Sequence, residues 1–329
     1  MELFRTVIPC PEMPKPLTHS DSILMLGSCF AENIGSYLEE NLFGVVVNPT
    51  GILYNPQSLS SALIRILEGK TYSKDDLFFH EGLWRSFDHH SRFSTPDREE
   101  TLERINSGLS IGHEQSRKLD VLVITLGTAF AYKKADSGRI VSNCHKLPGS
   151  RFHRELASIS TIVSSLGNAL DMILQIRPSL RIIATTSPVR HMRDNPHENS
   201  VSKAHLISSL HELQSRYSSI FYFPSYEILI DELRDYRFYA SDMAHPSQTA
   251  AQYICDRFRL SCISRESAQF IEEFEPVRKG FKHSLETADP ENRRKFAESL
   301  GKRLDNIRNK YPSIDQSQAR RRLENLTSI

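Results

Sequence analysis

Residues 23–31 read Ile23-Leu24-Met25-Leu26-Gly27-Ser28-Cys29-Phe30-Ala31. A short apolar run bounded by a glycine reads as a buried strand, and the pattern over residues 32–41 that follows is helical. Glycine allows the backbone to turn sharply between the two. A serine held at such a turn has its hydroxyl above the carboxyl edge of the sheet, where open α/β folds place their chemistry. A serine there can equally be a helix N-cap. The reading of Ser28 therefore depends on the rest of the chain.

Further apolar runs rich in β-branched residues occur at 43–47, 121–126, 182–186 and 220–223, with helical patterns at 59–67, 159–176 and 202–217. Strands alternating with helices predict an α/β fold with a mostly parallel sheet covered on both faces. The segments Asn48-Pro49-Thr50-Gly51, Gly127-Thr128-Ala129-Phe130 and Ser187-Pro188-Val189-Arg190-His191 each follow a strand, so they fall on the same edge as Ser28. Residues 71–117 form a long insertion, aromatic and histidine-rich and then charged and helical, of the kind that caps a site. Beyond residue 264 the chain becomes charged and helix-prone, with Phe296, Leu300, Leu304 and Ile307 on one helical face. Residues 1–264 are expected to form the body and 265–329 a helical extension, which packs on the body or makes a homo-oligomer.

Lys plus Arg number 41 and Asp plus Glu 40, a net charge of +1 that draws no polyanion, so nucleic acid is not an expected partner. The five cysteines, Cys10, Cys29, Cys144, Cys255 and Cys262, form no CxxC pair and read as reduced thiols. The start of the chain lacks the pattern of a leader, and no stretch reads as the roughly 18 apolar residues of a membrane span. A cytoplasmic protein with no membrane partner is expected.

A serine nucleophile must pass its proton to an imidazole that a carboxylate orients. Ser241-Asp242-Met243-Ala244-His245-Pro246-Ser247 offers both groups three residues apart, before a helix that buries Ala250, Ile254 and Phe258. Activity should fall in acid as His245 takes up a proton. Arg190 and His191 stand where a cation can hold a substrate carboxylate or phosphate. Asn143 and His145, and Trp84, His89 and His90 of the insertion, either touch substrate or brace loops, while Asn48, Tyr54 and Asn55 build the turn around Gly51. No HxH or HExxH spacing supports a metal site, and no cofactor is expected.

Gly27 to Ala31 spell GSCFA, and the chain also carries NPTGILYNP, TLGTAFAY, NCHK at 143–146, SPVRH, RDYRFY and SDMAHPS. Over roughly residues 20–260 it resembles the GSCFA domain family, a branch of the SGNH or GDSL hydrolase superfamily. The resemblance implies a flavodoxin-like three-layer α/β/α fold and a triad of Ser28, Asp242 and His245. It also implies an oxyanion hole from the amides of Ser28 and Gly51 with a third donor. Where the superfamily has an asparagine after the third strand, this chain has Thr128, so either Thr128 or Asn143 supplies that donor. Cys29 is an alternative nucleophile, although the resemblance assigns that role to its neighbour. The implied activity is cleavage of an ester of a small molecule or carbohydrate. An O-acyltransferase with the same triad and an inert binding protein of the same fold are the alternatives.

Overall fold

The computed structural model describes residues 5–191, 193–283 and 290–327. Its centre is a five-stranded sheet built from β1 (Ser22–Gly27), β2 (Gly44–Val47), β5 (Val121–Leu126), β9 (Arg181–Thr186) and β10 (Ile220–Tyr222). The spatial order is β10-β9-β5-β1-β2 and every pairing is parallel. Counting these strands in chain order, the sheet reads 2-1-3-4-5, the flavodoxin-like doubly wound arrangement.

Successive strand residues face opposite sides, so the apolar runs serve two cores. Leu24, Leu26, Leu122, Ile124 and Ile182 pack with helices α2 (Pro56–Glu68), α4 (Ile159–Ile176) and α5 (Pro196–Arg216). Ile23, Met25, Val121, Val123 and Ile183 pack with α1 (Cys29–Glu40) and α7 (Gln248–Cys262). These are the three layers. By length and composition α4 could cross a bilayer, contrary to the expectation that no stretch could. In this fold its apolar face, including Ile162, Leu166, Leu170 and Ile173, is buried in the first core.

The insertion is not wholly a cap. Its charged half is α3 (Arg98–Arg117), whose Ile105 and Leu109 enter the first core. Its aromatic half folds as the hairpin β3 (Leu77–His80) and β4 (Leu83–Ser86). A second small sheet follows β5, made of β6 (Phe130–Lys134), β7 (Ile140–Val141) and β8 (Phe152–Leu156). After β10 comes a short turn α6 (Ser225–Glu227) that runs into a π-helical turn, Ile228–Leu233.

In the extension, α8 (Arg265–His283), α9 (Pro290–Lys310) and α10 (Ser317–Thr327) share a core of Phe270, Phe274, Val277, Leu304, Ile307 and Tyr311. Ile271 reaches into the second core, and Phe270 packs edge-on against His19 at 4.6 Å. The helical face expected at Leu300, Leu304 and Ile307 is thus covered by this same chain.

Burial lowers His19 and His191 to about 4 and His89 to about 3. Their unfolded value is near 6.5, so below that pH the unfolded chain takes up protons that the folded one refuses. The stability they contribute is complete above pH 6.5 and is lost as pH falls toward 4. Thermal unfolding should show a midpoint that is level above pH 7 and declines steadily from pH 6.5 to 4. Replacing His89 by phenylalanine should make that decline shallower.

Candidate active site

The register of β1 with β5 sets Gly27 beside Thr125, and the chain turns there into α1. Ser28 is the N-cap of that helix: its Oγ accepts the Phe30 N–H at 3.3 Å and lies 3.1 Å from Thr125 Oγ1. The Ser28 N–H donates to the Thr125 carbonyl and hydroxyl, both at 3.0 Å. At 1% exposure the serine is enclosed by these partners. The next side chain, Cys29, is the one turned toward the distal histidine, with His245 Nε2 3.6 Å from its Sγ.

The Asp242 to His245 pair forms as a local turn. Asp242 Oδ1 accepts the N–H groups of Ala244 (2.9 Å) and His245 (3.0 Å), while Oδ2 meets His245 Nδ1 at 2.6 Å. Met243 takes φ 58°, the left-handed conformation that lets the imidazole fold back over the carboxylate. The amide of His245 foremost, then that of Ala244 and the imidazole itself, lower Asp242 to about 2, so it is ionised at any working pH. Both side chains are about half exposed, leaving the imidazole open on one side. Ser247 then caps α7, and Gln248 is its first residue.

The Cys29 thiol is raised, chiefly by burial and then by Glu32. The amides of Cys29 and Phe30 at the helix start, and the Lys203 ammonium, act against that rise. A thiol kept protonated in this way needs a base to become a nucleophile, and His245 is in place for it.

Beneath the site, Lys203 is wholly buried and donates to the carbonyls of Gly127 and Ser187, both at 2.7 Å. It ties together the ends of β5 and β9, and burial lowers it to about 7. Its neighbours on α5 do related work. Ser202 Oγ accepts the Ala129 N–H at 2.8 Å and contacts Thr128 Oγ1 at 3.0 Å, and Asn199 Oδ1 accepts the His191 N–H at 3.2 Å. Asn199, Ser202 and Lys203 have the spacing of one helical face, a polar stripe in a helix that was expected to begin only at Ser202.

The expected oxyanion donors are engaged elsewhere. The Ser28 amide is held by Thr125, the Gly51 amide donates to the Asn48 carbonyl at 2.8 Å in a tight turn, and the Thr128 amide donates to the Tyr54 carbonyl at 3.0 Å. Thr128 Oγ1 faces Ser202 and the Phe130 N–H. Asn143 Oδ1 accepts the His145 N–H within its own loop at 2.8 Å. At the start of α1 the Phe30 and Ala31 amides are taken by Ser28, through its Oγ at 3.3 Å and its carbonyl at 2.9 Å, which leaves the Cys29 amide as the one turned to no carbonyl inside the helix.

The remaining candidates divide between brace and rim. His145 is buried, bonded to the Ser86 carbonyl at 2.7 Å and facing Arg85, and so braces the hairpin rather than the site. Trp84 lies under the Arg98 guanidinium, 4.5 Å from ring centre, and beside Phe79. His90 caps a short turn through the Arg92 N–H, and Arg92 in turn reaches Glu32 (3.0 Å) and the Asn48 carbonyl (2.5 Å), so this part of the insertion does border the sheet edge. His191 packs edge-on against Tyr54 at 5.5 Å and is neutral through burial. Arg190 donates its N–H to the Ala244 carbonyl at 3.0 Å, inside the Asp242 to His245 turn. Among the described residues no group of three or more His, Cys, Asp or Glu is arranged to hold a metal ion.

The model of the GSCFA family matches residues 22–258, from β1 through most of α7. The chain belongs to the GSCFA family. The matched span holds Cys29, Arg190, Lys203, Asp242 and His245, and leaves α8 to α10 outside it. Among curated proteins none matches the chain. Among the solved structures that resemble the GSCFA chain are two esterases. A carbohydrate esterase family 3 protein from Talaromyces cellulolyticus has 10% identity and a TM-score of 0.35, over 76% of this chain and 98% of that one. The acetyl xylan esterase Est2A from Butyrivibrio proteoclasticus has 14% identity and a TM-score of 0.30, over 74% of this chain and 65% of that one. At TM-scores below 0.5 neither likeness bears on function, which must come from the residues themselves.

Proposed function

We propose that this GSCFA protein is an acyl-ester hydrolase whose nucleophile is Cys29, with His245 as base and Asp242 as its orienting carboxylate. One observation carries the reading: His245 Nε2 stands 3.6 Å from Cys29 Sγ while Nδ1 is held at 2.6 Å by Asp242. Nε2 takes the thiol proton as sulfur attacks the acyl carbonyl, and the negative oxygen of the tetrahedral intermediate is met by the Cys29 amide at the start of α1. Collapse breaks the ester C–O bond, and the leaving alkoxide takes the proton from the imidazolium. A water then attacks the thioester with His245 as base, and the thiol regains its proton as the acid departs. Asp242 balances the imidazolium at each stage. Lys203 holds the end of β5, the strand beside β1, to the end of β9.

Mass spectrometry after brief acid quenching of a 4-nitrophenyl acetate reaction tests this directly. One acetyl group should be found, on the peptide that contains Cys29, and its position should separate a Cys29 thioester from a Ser28 ester by lability to hydroxylamine. His245→Ala should slow its formation by about 10²- to 10⁴-fold. An acetyl group on Ser28 would overturn the assignment of the nucleophile.

A further inference from the structure

Beside His245 lies a cleft of about 500 Å³ that the acyl-transfer step leaves unexplained. Met243 forms part of its wall, together with Arg190, His191, Asn199, Tyr236 and Tyr239. Its wall carries donors in Arg190, Arg234 and the Asn199 amide, and two carboxylates, Asp194 and Asp235. Arg190 bonds the Tyr239 hydroxyl and, among the described residues, comes within 4 Å of no carboxylate. Asn199 is 96% buried; its Oδ1 is committed to the His191 N–H, which fixes the amide's orientation, and its Nδ2 has no partner. The two acids on the cleft wall are already neutralised, Asp194 by Arg154 and Asp235 by Arg237 at 3.0 Å. Arg234, also on the wall, is 3.9 Å from Asp231.

The Arg190 guanidinium is partly exposed and the Asn199 amide N–H is buried; the buried N–H is costly to leave without an acceptor, and an oxyanion satisfies both groups. The larger groove between α1, α7 and α8, about 610 Å³, differs in this respect, because its charges pair with one another, as Arg259 does with Glu272 at 2.5 Å and Arg278 with Glu40 at 3.6 Å.

We infer that the cleft beside His245 receives an anionic group of the substrate, a carboxylate or phosphate, gripped by Arg190 with the Asn199 amide as second donor. The substrate is then an ester carrying an oxyanion on one of its two arms. This rests on acyl transfer taking place at Cys29, since the cleft adjoins that site. Arginine suits the task because its planar fork meets two oxygens at once.

Two matched pairs of esters test it, one for each arm: 4-nitrophenyl hemisuccinate against its methyl ester, and 4-acetoxybenzoate against its methyl ester. In one pair or both, kcat/KM should favour the anion by about 10- to 100-fold, the worth of a hydrogen bond to a charged group. Arg190→Met should bring that ratio close to one, and Arg190→Lys, which keeps the charge without the fork, should leave it between the two. Inorganic phosphate and succinate should compete with the preferred anion in the wild type and lose that competition in Arg190→Met. Equal rates within both pairs, or a preference that survives in Arg190→Met and Arg190→Lys alike, would overturn the inference. Its failure is distinct from failure at the nucleophile: full turnover of the neutral esters by Cys29→Ala would remove the cysteine mechanism whatever the charge preference.

Discussion

Cys29→Ala is expected to abolish ester turnover, lowering kcat by at least about 10⁴-fold, whereas Ser28→Ala should be felt mainly as lost stability. The first value follows from removing the atom that forms the covalent intermediate, whose loss leaves only binding and oxyanion stabilisation. The second follows from the serine's own partners. Its Oγ caps α1 through the Phe30 N–H and rests against Thr125 Oγ1, so alanine there removes a cap and a buried hydrogen bond. Together these are worth about 1–3 kcal/mol, seen as a lower midpoint in urea. Steady-state hydrolysis of 4-nitrophenyl acetate, with folding checked by circular dichroism, separates the two. The reverse pattern, a dead Ser28→Ala and an active Cys29→Ala, would return the nucleophile to the serine and require the imidazole to swing away from the sulfur.

Gly27→Ala is expected to prevent stable folding. Gly27 has φ +139°, a conformation that L side chains rarely adopt, and a Cβ there would stand 2.1 Å from the Thr125 carbonyl oxygen and 2.7 Å from its hydroxyl. Neither can yield, since β1 and β5 are paired strands at the centre of the sheet and Thr125 holds the Ser28 amide. Strain and displaced strand pairing should cost more than about 4 kcal/mol, most of the margin of an ordinary domain. Gly82→Ala is the control: it has φ +75° but nothing within 4 Å of the added atom, so only the backbone term, about 1 kcal/mol, applies. Equilibrium urea unfolding of both proteins checks this, and a Gly27→Ala protein within about 1 kcal/mol of wild type would refute the steric account.

Much of the architecture was legible because its signals are short-range. The apolar runs at 23–26, 121–126 and 182–186 coincide with β1, β5 and β9, and Asp242 and His245 meet through a four-residue turn. What stayed illegible was long-range. The insertion read as a cap, yet its second half supplies α3 to the core, because only the assembled sheet shows which face lacks a helix. The amides of Gly51 and Thr128 read as oxyanion donors, yet both are bound to backbone carbonyls, and a backbone partner leaves no mark in side-chain pattern. The stripe of Asn199, Ser202 and Lys203 was visible as residues but not as a site, since buried polar groups and solvated ones look alike until the loops they hold are in place.

By itself the sequence determined the doubly wound α/β frame, the turn at Gly27 and the carboxylate-imidazole pair, for each depends on periodicity or on neighbours a few residues apart. It also carried the family, through the string from Gly27 to Ala31. Tertiary structure alone decided which side chain of that string faces the imidazole. Ser28 and Cys29 are adjacent, but at the junction of a strand and a helix they point in different directions: one back to Thr125 as the helix cap, the other outward to a histidine 216 positions further along the chain.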